Sequence, residues 1–226
     1  MAERRVKLTG IRQFIGESMK KSVNMYPQGR GRIECDMSKI LELKDELLQN
    51  GQKIAMSAFM IKLIGMGIAK FPDLNSRLEG DEIVYYDHFN CGLGIDIGAG
   101  LYVLTFRDVD KKSLVELSED FKAYLKKMQD KKLTIDDMQG ATFTVTNFAN
   151  AEPESFDSII TNDECTITGI GGIKKKVVVD ENDQIVIRPL CTITVNMNHI
   201  ITDGKDIHAL LSYLAEICRN PKEYLL

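Results

Sequence analysis

The sequence predicts an α+β fold, a two-layer mixed β-sheet with flanking helices. Three observations carry that reading. Helical and strand patterns are intermixed without the steady βαβ alternation of a doubly wound sheet. Two turn signals set between apolar runs mark hairpins, and one helical segment is apolar around most of its circumference. No composition shift, repeat or Ser/Pro-rich linker divides the chain, so residues 1–226 read as one domain, with 44% hydrophobic residues to fill its core.

Thr9 is placed to cap a first helix running to about Asn24, with Ile11, Phe14, Ile15 and Met19 at helical spacing on one apolar face. Pro27 and Gly29 break it. Residues 30–36 alternate like a short strand, and Asp36 caps a helix over 37–50 that Asn50-Gly51 closes. Residues 57–71 form the apolar helix, expected to be the most buried, and Pro72 ends it. Leu74 to Leu78 and Ile83 to Tyr86 flank Glu79-Gly80-Asp81, and Phe89 to Ile97 and Leu101 to Phe106 flank Gly98-Ala99-Gly100. Both are antiparallel hairpin signals. Ser113 with Glu116 spells a capping box for a charged amphipathic helix to about Gln129, and Thr134 to Met138 reads as a single turn. Strand signals return in Ala141 to Asn147, Cys165 to Ile170, Lys175 to Val179 and Gln184 to Asn198. Asp203 to Arg219 is the last helix, with Ile207, Leu210, Leu211 and Leu214 on one face.

Several function classes drop out. A net charge of −4, with no basic block beyond Lys174-Lys175-Lys176, leaves no electrostatic footprint for nucleic acid. No run approaches the roughly 18 apolar residues of a membrane span, and no apolar signal region follows Met1-Ala2-Glu3-Arg4-Arg5. The five cysteines are odd in number and form no C-x-x-C, so they read as reduced core thiols of a cytoplasmic protein. Gly92-x-Gly94-x-x-x-Gly98 and Gly169-x-Gly171-Gly172 both miss the dinucleotide-binding spacing, and no Walker-type loop occurs. Of three histidines, His88 and His208 read as partly exposed packing residues. None has ligands at metal spacing beyond the His199 and Asp203 pair, so no metal is expected.

His199-Ile200-Ile201-Thr202-Asp203-Gly204 is the most informative stretch. It puts a histidine at a strand-to-helix junction, where a loop can present a general base to a substrate, and an aspartate four residues on. The plain alternative is a strand-end histidine followed by an aspartate that caps the last helix.

The stretch from Leu190 to Gly204 resembles the active-site motif shared by the dihydrolipoamide acyltransferase cores of 2-oxo acid dehydrogenase complexes and by chloramphenicol acetyltransferase. The resemblance continues in family order through Leu8 to Ile15, Phe71-Pro72-Asp73-Leu74-Asn75, Gly100-Leu101-Tyr102-Val103, Arg107-Asp108-Val109-Asp110, Gly140 to Asn147 and Asn220-Pro221. It implies a chloramphenicol acetyltransferase-like fold that forms trimers, with the histidine reached through a channel between neighbouring subunits.

Carried over residue by residue, the resemblance makes His199 the general base and Thr146 the hydroxyl that stabilises the oxyanion, here threonine where many members carry serine. Asp203 joins them as the orienting member, held by Arg12, with Gly204 allowing tight packing at the helix start. Two departures touch the channel. Asn198-His199-Ile200 stands where the family usually has Asp-His-Arg, and Asn147 to Pro153 replaces a glycine-rich stretch. The implied substrates are acyl-coenzyme A and a lipoyl group supplied in trans, since no lipoyl-bearing module or flexible linker is visible. Two rivals stay open: a coenzyme A-dependent O-acetyltransferase acting on a small-molecule hydroxyl, and a non-catalytic trimeric core.

Overall fold

The structure, a computed structural model, describes residues 3–96, 101–161 and 163–226. Its elements run α1 (Ile11–Met25), β1 (Gln28–Asp36), α2 (Ser38–Gln49), α3 (Met56–Lys70), β2 (Ser76–Glu79), β3 (Glu82–Tyr85), β4 (Cys91–Asp96), β5 (Leu101–Phe106), α4 (Leu114–Gln129), β6 (Phe143–Asn147), β7 (Thr166–Ile170), β8 (Lys174–Val179), β9 (Ile185–Asn198), α5 (Gly204–Arg219) and α6 (Pro221–Leu225). Seven strands form one mixed sheet in the order β1-β9-β7-β6-β4-β5, with β8 also pairing β9. The β2–β3 hairpin stands apart. Within the sheet β4, β6 and β7 are mutually parallel and the other pairings are antiparallel.

One face of the sheet is apolar. Cys35, Val145, Ile193, Val195 and Met197 meet α3 and α5 there in a continuous core, and α5 lies close enough to β1 that a Cβ on Gly31 would collide with Ile207 and Leu211. As its all-round apolar pattern predicts, α3 is the most buried helix, with even Lys62 taken inside, where its ammonium donates to the carbonyls of Val109 and Asp110. The other face carries Thr144, Thr146, Thr192, Thr194, Asn196 and Asn198, and the segment after β6 crosses it. Phe156 covers Gly169, and the Asn196 amide donates to the Ser158 carbonyl.

The local signals mostly act where expected. The Asn50-Gly51 stop puts Gly51 at φ 81°, and Ser113 and Glu116 form the reciprocal capping box, but Met37 instead of Asp36 takes the cap position of α2, with Asp36 Oδ1 accepting the Ser38 N–H at 2.8 Å from one residue further back. The Gly98-Ala99-Gly100 turn lies outside the described residues, but the strands it joins pair antiparallel. All five cysteines are buried and free. Among the described residues no helix is long and apolar enough to cross a membrane.

The first helix departs from expectation twice. Gly10, at φ 57°, occupies the cap position instead of Thr9, and no side chain caps the helix. The expected buried face is also open, with Phe14 70% and Val23 58% exposed. Helical periodicity reports that a face will be covered, not which chain covers it.

Candidate active site

His199 follows β9 immediately, and its backbone N–H donates to the Pro27 carbonyl at 2.8 Å, extending the β1–β9 ladder by one pair. The chain then turns within four residues into α5. Asn198 holds that turn: its N–H donates to the Cys165 carbonyl, its side-chain Oδ1 accepts from Ile200 N–H, and its own carbonyl accepts from Ile201 and Thr202. The result is an exposed imidazole on a rigid mount.

The ring lies across β1 at Gly29. A Cβ there would sit 2.5 Å from Met197 Cε and 2.9 Å from His199 Cδ2, so only glycine leaves the imidazole its place. Sequence reasoning missed this role and read Gly29 only as a helix breaker. The signal would have been the strand pairing, which no local pattern contains.

Asp203 caps α5. Its Oδ1 accepts Lys205 N–H at 2.9 Å, and Asp206 returns the favour through the Asp203 N–H, completing a capping box that Thr202 Oγ1 joins at 2.6 Å. The ion pair expected between Asp203 and Arg12 is absent within this chain. The carboxylate is drawn instead to the unpaired N–H groups of its own helix and, at 3.7 Å, to Lys205 Nζ, while Arg12 is exposed on α1. Gly204 likewise is not held by tight packing. A Cβ built there meets nothing within 4 Å among the described residues.

Thr146 is half-buried near the end of β6, level with Gly169 on β7 and Thr194 on β9, and shares their face of the sheet. His199 lies five residues past Thr194 and two strands across. At about 3.4 Å per residue and about 4.8 Å per strand, the two Cα positions are roughly 20 Å apart. They also face different sides, since His199 lies with Met197 and Gly29 on the helical face. One chain does not bring them together.

Past the end of β6 a groove of about 660 Å³ is lined by Lys44, Lys53, Ala55, Asn150, Glu152 and Lys174. It opens at the N-terminus of α3, which has no side-chain cap and where Ser57 Oγ accepts from the Asn147 amide at 3.3 Å. Three lysines beside uncapped helix N–H groups suit an anion, although Lys174 already contacts Glu152 at 2.6 Å. Beneath the strand, Glu164 is fully buried. It accepts from the Thr144 and Thr161 hydroxyls with no cation beside it, so desolvation pushes its carboxyl up to about 8. Among the described residues no three His, Cys, Asp or Glu side chains group closely enough to hold a metal ion.

The family model for the 2-oxoacid dehydrogenases acyltransferase (catalytic domain) matches residues 1–226. The chain belongs to this family. It is 28% identical over 230 residues to the succinyltransferase component of the 2-oxoglutarate dehydrogenase complex of Haemophilus influenzae, covering 100% of this chain and 56% of that protein. It is equally similar, at 28% over 230 residues, to the acetyltransferase component of the pyruvate dehydrogenase complex of Bacillus subtilis, covering 99% and 52%. The chain therefore spans about half the length of the curated relatives it matches. The fold superposes on the dihydrolipoamide acetyltransferase of Azotobacter vinelandii with a TM-score of 0.90, at 22% identity over 100% of this chain and 95% of that one. Chloramphenicol acetyltransferase shares the fold more distantly, with a TM-score of 0.56 at 11% identity, over 88% of this chain and 94% of that one.

Proposed function

We propose that the protein transfers an acyl group between coenzyme A and dihydrolipoamide, with His199 as general base, in a homotrimer or a multiple of trimers in the cytoplasm. The observation that carries this reading is the exposed imidazole held on a hydrogen-bonded turn over Gly29. A thiol of ordinary pKa near 8.5 must lose its proton as it attacks the thioester carbonyl, and a positioned base contributes roughly 10²–10⁴-fold to such a step. The same imidazole returns the proton to the departing thiol. Thr146 supplies the hydroxyl for the oxyanion, and Asp203, as the cap of α5, belongs to the frame of the site and not to proton transfer. No metal takes part in this scheme.

The separation of the two groups supports an assembly of several copies. If His199 and Thr146 act together, the hydroxyl comes from a neighbouring copy. Two uncovered apolar surfaces support assembly. One is the face of α1. The other is the β8–β9 arm, where the cross-strand pairs Val177 with Ile187 and Val179 with Ile185 are all at least 65% exposed. A relative of the same fold, at 22% identity and a TM-score of 0.90, is the cubic core of the pyruvate dehydrogenase multienzyme complex, and the corners of a cube are threefold axes. The lysine-lined groove past the end of β6 suits the phosphates of coenzyme A. The lipoyl group arrives on another module or chain.

The test is acyl transfer from acyl-coenzyme A to dihydrolipoamide by wild type and His199→Ala. We expect a 10²–10⁴-fold lower kcat in the variant. Equal rates would remove the histidine from the chemistry, and transfer to chloramphenicol in place of the dithiol would reassign the acceptor.

A further inference from the structure

Two buried polar atoms beside His199 lack partners, and they belong to residues that face each other. The bond from His199 N–H to the Pro27 carbonyl makes 27 and 199 a hydrogen-bonded pair of the β1–β9 ladder. The adjacent pair, Gln28 and Asn198, is therefore a non-hydrogen-bonded one, where opposed side chains come closest, at a Cα separation of about 4.5 Å. Gln28 Oε1 is an acceptor without a donor, and Asn198 Nδ2 is a donor without an acceptor.

The orientation of each amide is set by its other atom. Gln28 Nε2 donates to Ser22 Oγ at 3.2 Å, and Asn198 Oδ1 accepts from Ile200 N–H at 3.0 Å. The atoms left over are thus complementary, an acceptor on one strand and a donor on its neighbour. Buried polar groups left unmatched are rare because each forfeits its hydration, which favours the joined arrangement.

We propose that Asn198 and Gln28 form an amide–amide hydrogen bond across β9 and β1, and that this pair is the positioning device for His199. The inference rests on His199 being the general base. It links Ser22 on α1, through Gln28 and Asn198, to the Ile200 and Thr202 amides that shape the turn. The helix with the uncovered face is in this way connected to the mount of the imidazole. The Asn at position 198, where the family usually has Asp, then has a reason: it brings a donor to meet Gln28.

The chemistry of the pair dictates the experiment. In Asn198→Asp the Gln28 amide turns over, giving Nε2 to the new carboxylate and Oε1 to the Ser22 hydroxyl. In Gln28→Glu the carboxylate accepts from both Asn198 and Ser22. Each single variant keeps the bond, whereas the double variant Asn198→Asp/Gln28→Glu sets two acceptors face to face. Gln28→Ala removes one side while leaving the main-chain ladder and the buried Asn198 intact, so folding is retained.

We expect Gln28→Ala and the double variant to lower kcat about 10–100-fold, the scale of a displaced catalytic group, with KM within twofold. Hydrogen exchange at the Ile200 and Thr202 amides of the assembled protein should speed up at least tenfold. The two single acidic variants should stay within threefold of wild type. Exchange needs no substrate, so a protein without acyl-transfer activity would still report on the pair. Wild-type exchange and kcat in Gln28→Ala, or a double variant no worse than the product of its singles, would overturn the proposal.

Discussion

His199 and Thr146 each stand at or near the C-terminal end of a strand, yet the strands run in opposite directions, so the two side chains lie at opposite ends of the same sheet. The His199 end is finished within the chain: a turn closed by Asn198, a glycine cut to fit the ring, and a capped helix leading away. The Thr146 end is half-finished. Its hydroxyl sits on the polar face of the sheet, far from His199 of the same chain. If the two groups act together as proposed, a single chain carries two half-sites and the chemistry between them requires copies to meet.

The largest effect that sharpens this contrast comes from mixing. Thr146→Ala should lower kcat about 10²–10³-fold, the cost of losing one oxyanion donor, while Thr146→Ser should stay within a few-fold. When Thr146→Ala and His199→Ala chains are unfolded, mixed and refolded together, interfaces that pair an intact hydroxyl with an intact imidazole should form and recover a fraction of wild-type rate. No recovery would mean that the two groups are not shared between copies.

Next in size is the fit of the ring. Gly29→Ala places a Cβ against Met197 and the imidazole; the methionine end can shift, and the ring must follow. We expect kcat to fall roughly tenfold, well short of the near 100-fold cost of a fully misplaced group, with Tm lowered by only a few degrees. An unchanged kcat would show that the ring has room elsewhere.

What could be read in advance divides along the same line. Elements built from local rules were legible: the Ser113 capping box, the Asn50-Gly51 stop, the all-round apolar α3 and the Glu79-Gly80-Asp81 hairpin. The place of His199 at a strand-to-helix junction was legible because imidazole, turn and helix start occur within six residues. Gly29 and Gln28 were not, since their meaning arises from β1 pairing with β9 across some 160 residues. Arg12 misled for the opposite reason. Its place in the motif says nothing about which of two competing partners, a distant guanidinium or the adjacent helix N–H groups, wins Asp203 in an isolated chain.

A third effect lies in the sheet between the two groups. Glu164 has its folded-state carboxyl raised to about 8, against 4.5 as its ordinary value. Below the ordinary value both folded and unfolded chains are protonated. Between the two values the folded chain keeps a proton that the unfolded chain has lost, so stability falls as pH rises until about 8, above which the buried anion exerts its full cost. Glu164→Gln should therefore leave Tm unchanged at pH 5 and raise it by on the order of 5 °C at pH 9. A variant that melts like wild type at both pH values would mean that the carboxyl finds water or a cation at high pH.

The smallest effect separates a cap from an ion pair. Asp203→Ala removes the side-chain acceptor of Lys205 N–H, worth about 1 kcal/mol for an N-cap, or roughly 2–4 °C in Tm for a chain of this size. Arg12→Ala should cost less, because that side chain is exposed and Asp203 is already engaged by its own helix. If the cap is the whole role of Asp203, the double variant melts at the sum of the two shifts. A coupling above about 0.5 kcal/mol would instead mean that assembly brings Arg12 onto the carboxylate. Asp203 would then serve both half-sites, and the His199 end, finished as it is within one chain, would also be completed by its neighbour.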